Sequence, residues 1–173
     1  MLPQLIAAKK MLAVSLASVM LIMPAPQPIN EIMSPIQVKV VDQDPLTKYE
    51  KRQMQCLAEN MYFEAGNQSE KGMIAVTNVV LNRANDHRFP DTACGVIHQK
   101  SRGVCQFSWT CSKNRRIRNW DVFDRAKRLA EKAVKGKLED VTNGAKFYHA
   151  SYVNPGWKLT KLARIGTHIF YRG

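Results

Sequence analysis

No two cysteines in this chain stand at C-x-x-C spacing, and none of its four histidines pairs with another at H-x₃₋₅-H spacing. The ligand patterns of zinc ribbons, zinc fingers and dithiol redox motifs are therefore missing, and no metal or cofactor is expected. Acidic residues are scarce: 14 Asp and Glu against 26 Lys and Arg give a formal charge of +12. Such an excess favours a polyanionic partner, attracted over a range that salt shortens. Nucleic acid, an anionic membrane and a carboxylate-rich polymer all satisfy the charge alone. A membrane-spanning run is lacking as well. Residues 11–23 are apolar apart from Ser15 and Ser18, but as a helix they would cover about 20 Å, where a hydrocarbon core is about 30 Å thick.

That apolar run has a different use. Lys9 and Lys10 precede it, the charge-then-apolar order of a secretory signal. Pro24, Pro26 and Pro28 crowd the place where small residues would mark cleavage, so residues 1–23 read as a signal peptide or a retained signal anchor. A buried core helix is the third reading, disfavoured by the proline-rich stretch that follows. Residues 24–44 read as a Pro-rich linker with a strand-like patch at 36–41, and residues 45–173 as one folded domain. The expected location is the cell envelope or periplasm, for a monomer with transient membrane association through residues 11–23. Export bears on Cys56, Cys94, Cys105 and Cys111 too. An even count in an oxidising compartment favours disulfides, with three pairings open, over free buried thiols or metal ligation.

Within the domain, apolar spacing predicts a helix from about Pro45 to Ala65, capped by Asp44, with Met54, Leu57, Ala58 and Met61 on one face. Gly66 and Asn67 end it, as residues that tolerate positive φ. A second helix is expected to run to Leu81, with Asn67 and Glu70 as a capping box and Met73, Val76, Val79 and Val80 as its apolar face. Residues 85–118 lack periodicity and hold three of the four cysteines, so cross-links are expected to tie them down. Trp120 to Lys135 is again helical in pattern, and the chain's end mixes turns with strand-like runs such as 167–171. The expected class is α+β, mainly helical.

The segment Met61-Tyr62-Phe63-Glu64-Ala65-Gly66-Asn67 carries the strongest chemical signal. A carboxyl at the end of an apolar helix, among aromatics, is partly desolvated; burial favours its neutral form, which suits a general acid near neutral pH. An ordinary helix-end carboxylate is the plainer alternative. Around it lie Tyr62-Phe63-Glu64-Ala65, Gly72, Ala75-Val76, Val79-Val80-Leu81-Asn82-Arg83, Phe89-Pro90 and Cys94-Gly95-Val96-Ile97. Further blocks are Cys105-Gln106-Phe107-Ser108-Trp109-Thr110-Cys111, Tyr148-His149-Ala150, Tyr152, Pro155, Trp157 and Arg164 through Tyr171. This ordered series, over roughly residues 54–172, resembles the SleB/CwlJ cell-wall hydrolase family. The resemblance implies a lysozyme-like, lytic-transglycosylase-like single domain that cleaves peptidoglycan between N-acetylmuramic acid and N-acetylglucosamine. It implies Glu64 as the catalytic residue, acting as acid and then as base on the sugar's own 6-hydroxyl. Many members carry a second glutamate four residues on; here that position is Gln68, which can neither donate nor accept the proton. Glu70 is the nearest replacement carboxylate, though capping is its plainer role.

Other candidates are less specific. Gln106 and Ser108 can bond a sugar or satisfy their own loop's backbone. Tyr148, His149 and Tyr152 form a polar-aromatic cluster suited to a sugar cleft, and Trp157 suits ring stacking or the core. Asn78 and Asn82, one turn apart, are candidates to face the cleft or to brace the Glu64 turn. Arg115, Arg116 and Arg118 are either solvated surface or an attraction for anionic wall polymer. Muramidase-type hydrolysis, a stem-peptide amidase or peptidase, and an inactive wall-binding module are the competing readings. The amidase wants a zinc site or an activated cysteine that the spacing does not offer. A nucleic-acid binder accounts for the charge but leaves the export segment and cysteines without purpose, so nucleic acid is not an expected partner. A phage endolysin and a bacterial envelope enzyme both suit such a chain.

Overall fold

The computed structural model describes residues 45–173; the signal segment, the linker, its strand-like patch and the Asp44 cap lie outside the described residues. Helix α1 (Lys48–Ala65) is the central element, and α2 (Glu70–Ala84), α3 (Ala93–Ile97) and α4 (Trp120–Val134) each pack against it. It begins later than its apolar spacing predicts because Thr47, beyond Pro45, supplies the cap. The Thr47 hydroxyl accepts from the Glu50 amide and the Glu50 carboxylate accepts from the Thr47 amide, a reciprocal box that satisfies two end donors.

The second cap also differs from expectation. Ser69, not Asn67, caps α2 through its hydroxyl on the Gly72 amide, and Glu70 is the helix's exposed first residue rather than half of a box. Gly66 does end α1, yet in a right-handed conformation (φ −60°). Its need for glycine is steric, since a Cβ there would meet the Tyr62 carbonyl. The helix α2 runs past Leu81 although it is rich in β-branched residues, which disfavour helix. Burial decides the matter. Val76, Val79 and Val80 are fully buried in the same core as Leu57, Ala58 and Met61 of α1, and each such side chain contributes about 1.5–3 kcal/mol.

Residues 85–118 are more ordered than their lack of periodicity suggests. They hold α3, a small hairpin of β1 (Lys100–Ser101) and β2 (Val104–Cys105), and a 3-10 turn at Ser108–Cys111. Of the three open pairings the structure has Cys56–Cys94, which ties α1 to α3, and Cys105–Cys111, which closes the 3-10 turn onto the hairpin. Closing 38 residues removes more unfolded-chain entropy than closing 6, by loop length about 4 against about 2 kcal/mol. Urea denaturation of the Cys56→Ser/Cys94→Ser and Cys105→Ser/Cys111→Ser variants should rank them in that order, the first pair losing more.

The remaining layer is an antiparallel sheet of β3 (Phe147–Ala150), β4 (Thr160–Ile165) and β5 (His168–Arg172), ordered β3-β5-β4. Tyr148 faces Phe170 and Ala150 faces His168 across β3 and β5, so Tyr148, Phe170 and His168 share one side of the sheet. Phe147, His149 and Tyr171 share the other. Asn78 and Asn82 neither face the cleft nor brace the Glu64 turn. Their amides bond the Glu139 carbonyl, the Val141 amide, the Asp140 carboxylate and the Ala145 carbonyl, fixing the connection from α4 to β3. No helix among the described residues is long and apolar enough to cross a membrane.

Candidate active site

Successive residues on an α-helix point about 100° apart, and the last turn of α1 uses this to gather three walls around one point. The Tyr62 hydroxyl accepts from the Arg118 and Asn119 amides and so fixes the approach to α4. Phe63 stacks on Trp109 at 4.7 Å between ring centroids, drawing in the cysteine-closed turn. Trp109 is held in turn by its indole N–H, which donates to the buried Asn60 Oδ1 at 3.1 Å. Glu64, next in line, meets the sheet: the Tyr148 hydroxyl donates to its Oε2 at 2.9 Å.

Glu64 is half-buried, and burial pushes its carboxyl above the usual glutamate range; the Tyr148 bond pulls part of the way back. Tyr148 is itself pushed far above the ordinary tyrosine range by burial and by the neighbouring carboxylate, so it remains a donor at every working pH. With Oε2 tied to Tyr148, Oε1 is left without a hydrogen-bond partner among the described residues, free to carry the proton to be delivered. Removing that tie has a readable consequence. Tyr148→Phe should lower turnover on a glycan substrate about tenfold, a charge-assisted hydrogen bond's worth, and move the alkaline limb of the pH profile upward, because an influence that lowers Glu64 is gone.

A cleft of about 600 Å³ opens in front of Glu64. It brings together every residue expected to bind sugar: Gln106 and Ser108 on one wall, Tyr148 and His149 on β3, and Tyr152 and Trp157 at the mouth. Their roles separate there. The Gln106 and Ser108 side chains are exposed and bond no other described residue, so they are free for a ligand. Tyr152 is 87 % exposed and Trp157 42 %, which decides for the cleft over the core in the case of Trp157. Its ring stands edge-on to Phe147, His149 and Tyr171. His149, by contrast, is occupied. Its Nδ1 bonds the Ala150 carbonyl, its Nε2 the Tyr171 hydroxyl, and its ring stacks on Tyr171, so it shapes the wall rather than acting as an acid or base.

Two further cleft residues were not singled out from the sequence. His168 lies under Tyr148 at 5.2 Å, its Nδ1 buried without a partner, and burial beside His149 lowers its pKa, keeping it neutral. Arg83 is buried between Phe89 and Phe147, its Nε bonded to the Lys146 carbonyl and its Nη1 without a protein partner. A buried cation bordering a cleft is the signal that could have found it, but burial is not readable from one sequence. Gln68 stands apart from the cleft: its carbonyl accepts from the Thr167 amide and pins the β4–β5 turn. Glu64 is the one carboxylate among the described residues lining this cleft or the second one behind it. Among the described residues, no three His, Cys, Asp or Glu are grouped to hold a metal ion.

Comparison with known proteins gives this cleft a context. The model of the cell wall hydrolase family matches residues 67–171. The chain belongs to the cell wall hydrolase family. The match begins beyond Glu64, so the glutamate's part rests on its geometry. Spore cortex-lytic enzymes are among the hydrolase's relatives. That of Oceanobacillus iheyensis is 30% identical over 125 residues, covering 70% of this chain and 42% of the relative. That of Halalkalibacterium halodurans is 30% identical over 127 residues, covering 70% and 35%. The hydrolase thus spans about two-fifths of the length of these relatives. The catalytic domain of the germination-specific lytic transglycosylase SleB from Bacillus anthracis shares the fold at a TM-score of 0.57 and 24% identity, covering 74% of this chain and all of that one. The catalytic domain of the Bacillus cereus SleB protein gives a TM-score of 0.57 at 25% identity, covering 70% and 91%. The expected lysozyme-like, mainly helical α+β domain is therefore the fold observed.

Proposed function

We propose that this cell wall hydrolase cuts peptidoglycan glycan strands between N-acetylmuramic acid and N-acetylglucosamine, and that Glu64 does so alone as acid and then base. What supports one carboxylate rather than two is the lining of the clefts, where Glu64 has no acidic companion. Hydrolysis by a two-carboxylate route needs a second Asp or Glu several ångströms away to activate water or to attack the sugar.

In the proposed reaction, protonated Glu64 donates from Oε1 to the glycosidic oxygen as the bond to C1 of the muramic acid breaks. The electron pair leaves with that oxygen, which becomes the new hydroxyl of the departing sugar. The resulting carboxylate, held by Tyr148, takes the proton from the muramic acid's 6-hydroxyl, whose oxygen closes on C1. A 1,6-anhydro end forms and Glu64 is again protonated, so no water is consumed. The raised pKa serves the first half, and the Tyr148 donor, which stabilises the carboxylate, serves the second. Gln106, Ser108, Tyr152 and Trp157 would hold the strand by hydrogen bonds and ring stacking. Two disulfides support work in an oxidising compartment outside the cytoplasm, to which residues 1–23 would direct the chain.

The full chain, incubated with purified peptidoglycan, should release fragments whose mass is that of anhydro-muramic ends. Reducing ends in their place would mean that water completes the reaction. Free stem peptide would mean an amidase and end the proposal.

A further inference from the structure

Glu64 borders a second cleft as well as the first. On its far side lies a space of about 540 Å³, floored by Tyr62, Phe63 and Gly66 at the end of α1 and walled by Asn119 and Val122 at the start of α4. Because Glu64 lines both, a strand presenting its bond to Glu64 from the first cleft would, on the function proposed above, continue into the second. The segment that leads into its Asn119 wall is different in kind. Residues 113–120 read Lys-Asn-Arg-Arg-Ile-Arg-Asn-Trp: four cations and no acid, with Asn119 lining the cleft and the cations preceding it in the chain. Lys113, Arg115, Arg116 and Arg118 are all exposed, and none is among the ion pairs of the described residues. This is not a loose tail. The Arg118 and Asn119 amides both donate to the hydroxyl of Tyr62, a residue of the cleft floor, at 3.0 and 3.1 Å; these two bonds chiefly, and the Arg118 charge least, lower the Tyr62 pKa. Trp120 stands beside them, 62 % exposed, its ring edge-on to Phe123 at 6.0 Å.

Holding several like charges on one short segment without counter-charge costs free energy, and a ligand anion relieves it. Among the parts of a peptidoglycan strand the sugars offer no charge in this position; carboxylates are carried by the stem peptides on the muramic acids. We propose that the second cleft and the Lys113–Arg118 arm form a binding site for the carboxylates of a stem peptide beyond the bond being cut, so that the enzyme recognises peptide-bearing strands. Acids return only at Asp121 and Asp124 on α4, where Asp124 pairs with Lys127, so the run of cations without an acid is the arm itself. This site rests on the glycan-cleaving function proposed above, since it presumes that a strand crosses Glu64.

Binding tests it apart from catalysis. Full-length Glu64→Gln protein is sedimented with purified sacculi free of teichoic acid, intact or with their carboxylates converted to neutral amides. Tighter binding to the intact sacculi is expected, weakening with salt. Adding Arg115→Gln, Arg116→Gln and Arg118→Gln should weaken binding to intact sacculi about tenfold, as three partly screened charge contacts would, while Lys in the same positions should restore most of it. An equal loss on amidated sacculi, or no loss on intact ones, would overturn the proposal. So would tight binding only when teichoic acid phosphates are left in place. If Glu64→Gln protein instead dissolves the sacculi, the turbidity falls and it is the Glu64 function that has failed, with the arginine comparison still readable at short times on ice.

Discussion

Glu64→Gln protein should cleave glycan strands at least about 10³-fold more slowly than the unaltered enzyme, near the upper range for loss of a general acid–base. The substitution is nearly isosteric, and its carbonyl can still accept from Tyr148, so the fold has no reason to change. Its stability should in fact rise at neutral pH. Burial raises the Glu64 pKa above its ordinary 4.5, so folding favours the protonated form. The sign follows: the contribution of Glu64 to stability is fully present below its unfolded pKa and is lost as the pH climbs through the raised folded value. Above that value the wild-type protein carries a half-buried charge that the variant lacks. Thermal melts at pH 7 should therefore place Glu64→Gln above wild type, with the gap closing toward pH 4. Wild-type activity should fall over the same alkaline range, because the proton it must deliver is gone. Equal cleavage by both proteins would remove Glu64 from the mechanism, whatever the melts show.

The position of Glu64 was legible in the sequence because it depends on local pattern: an apolar helix that ends at Gly66, with aromatics just before it. That the expected sugar-binding residues line one cleft was legible for a related reason. Gln106 and Ser108 lie in a short segment closed by cysteines, and Tyr148, His149, Tyr152 and Trp157 lie within ten residues of one another, so their meeting needs little long-range knowledge. What escaped was decided at long range. Asn78 and Asn82 bond residues 139–145, about 60 positions away, and nothing in their own helix announces that loop. Arg83 looks like any helix-end arginine until Phe89, Phe147 and the Lys146 carbonyl close over it. Caps fell between the two cases. Asn67 and Asp44 are as good cap formers as Ser69 and Thr47, so residue type alone does not choose between them; Thr47 and Ser69 are the residues that cap α1 and α2. The same applies to Gln68. Its loss of a carboxyl reads as a question about catalysis, whereas the structure has it holding the Thr167 amide away from the cleft.

Trp109→Ala should cost about 3–5 kcal/mol of stability, the range for removing a large buried aromatic, and should lower activity about 10²-fold well below the unfolding temperature. Trp109 is 8 % exposed, stacked on Phe63 and in edge contact with His98. Its removal opens a cavity against α1, and it also strands Asn60, whose Oδ1 loses its donor while Nδ2 already lacks a partner. The effect on activity follows from what else Trp109 carries. Gln106 and Ser108 are held to α1 through this ring, because Cys105–Cys111 closes their segment upon itself and not onto the helix. Without Trp109 that wall of the cleft loses its register to Glu64, and a shift near 1 Å is enough to lower rates by about 10². Trp109→Phe separates the two contributions. It keeps much of the stacking and loses the indole donor, so it should cost about 1–3 kcal/mol and retain measurable cleavage. Urea midpoints, with initial rates taken well below them, give both quantities. A Trp109→Ala protein that is destabilised yet cleaves at the wild-type rate would show that the cysteine-closed segment takes no part in binding the strand.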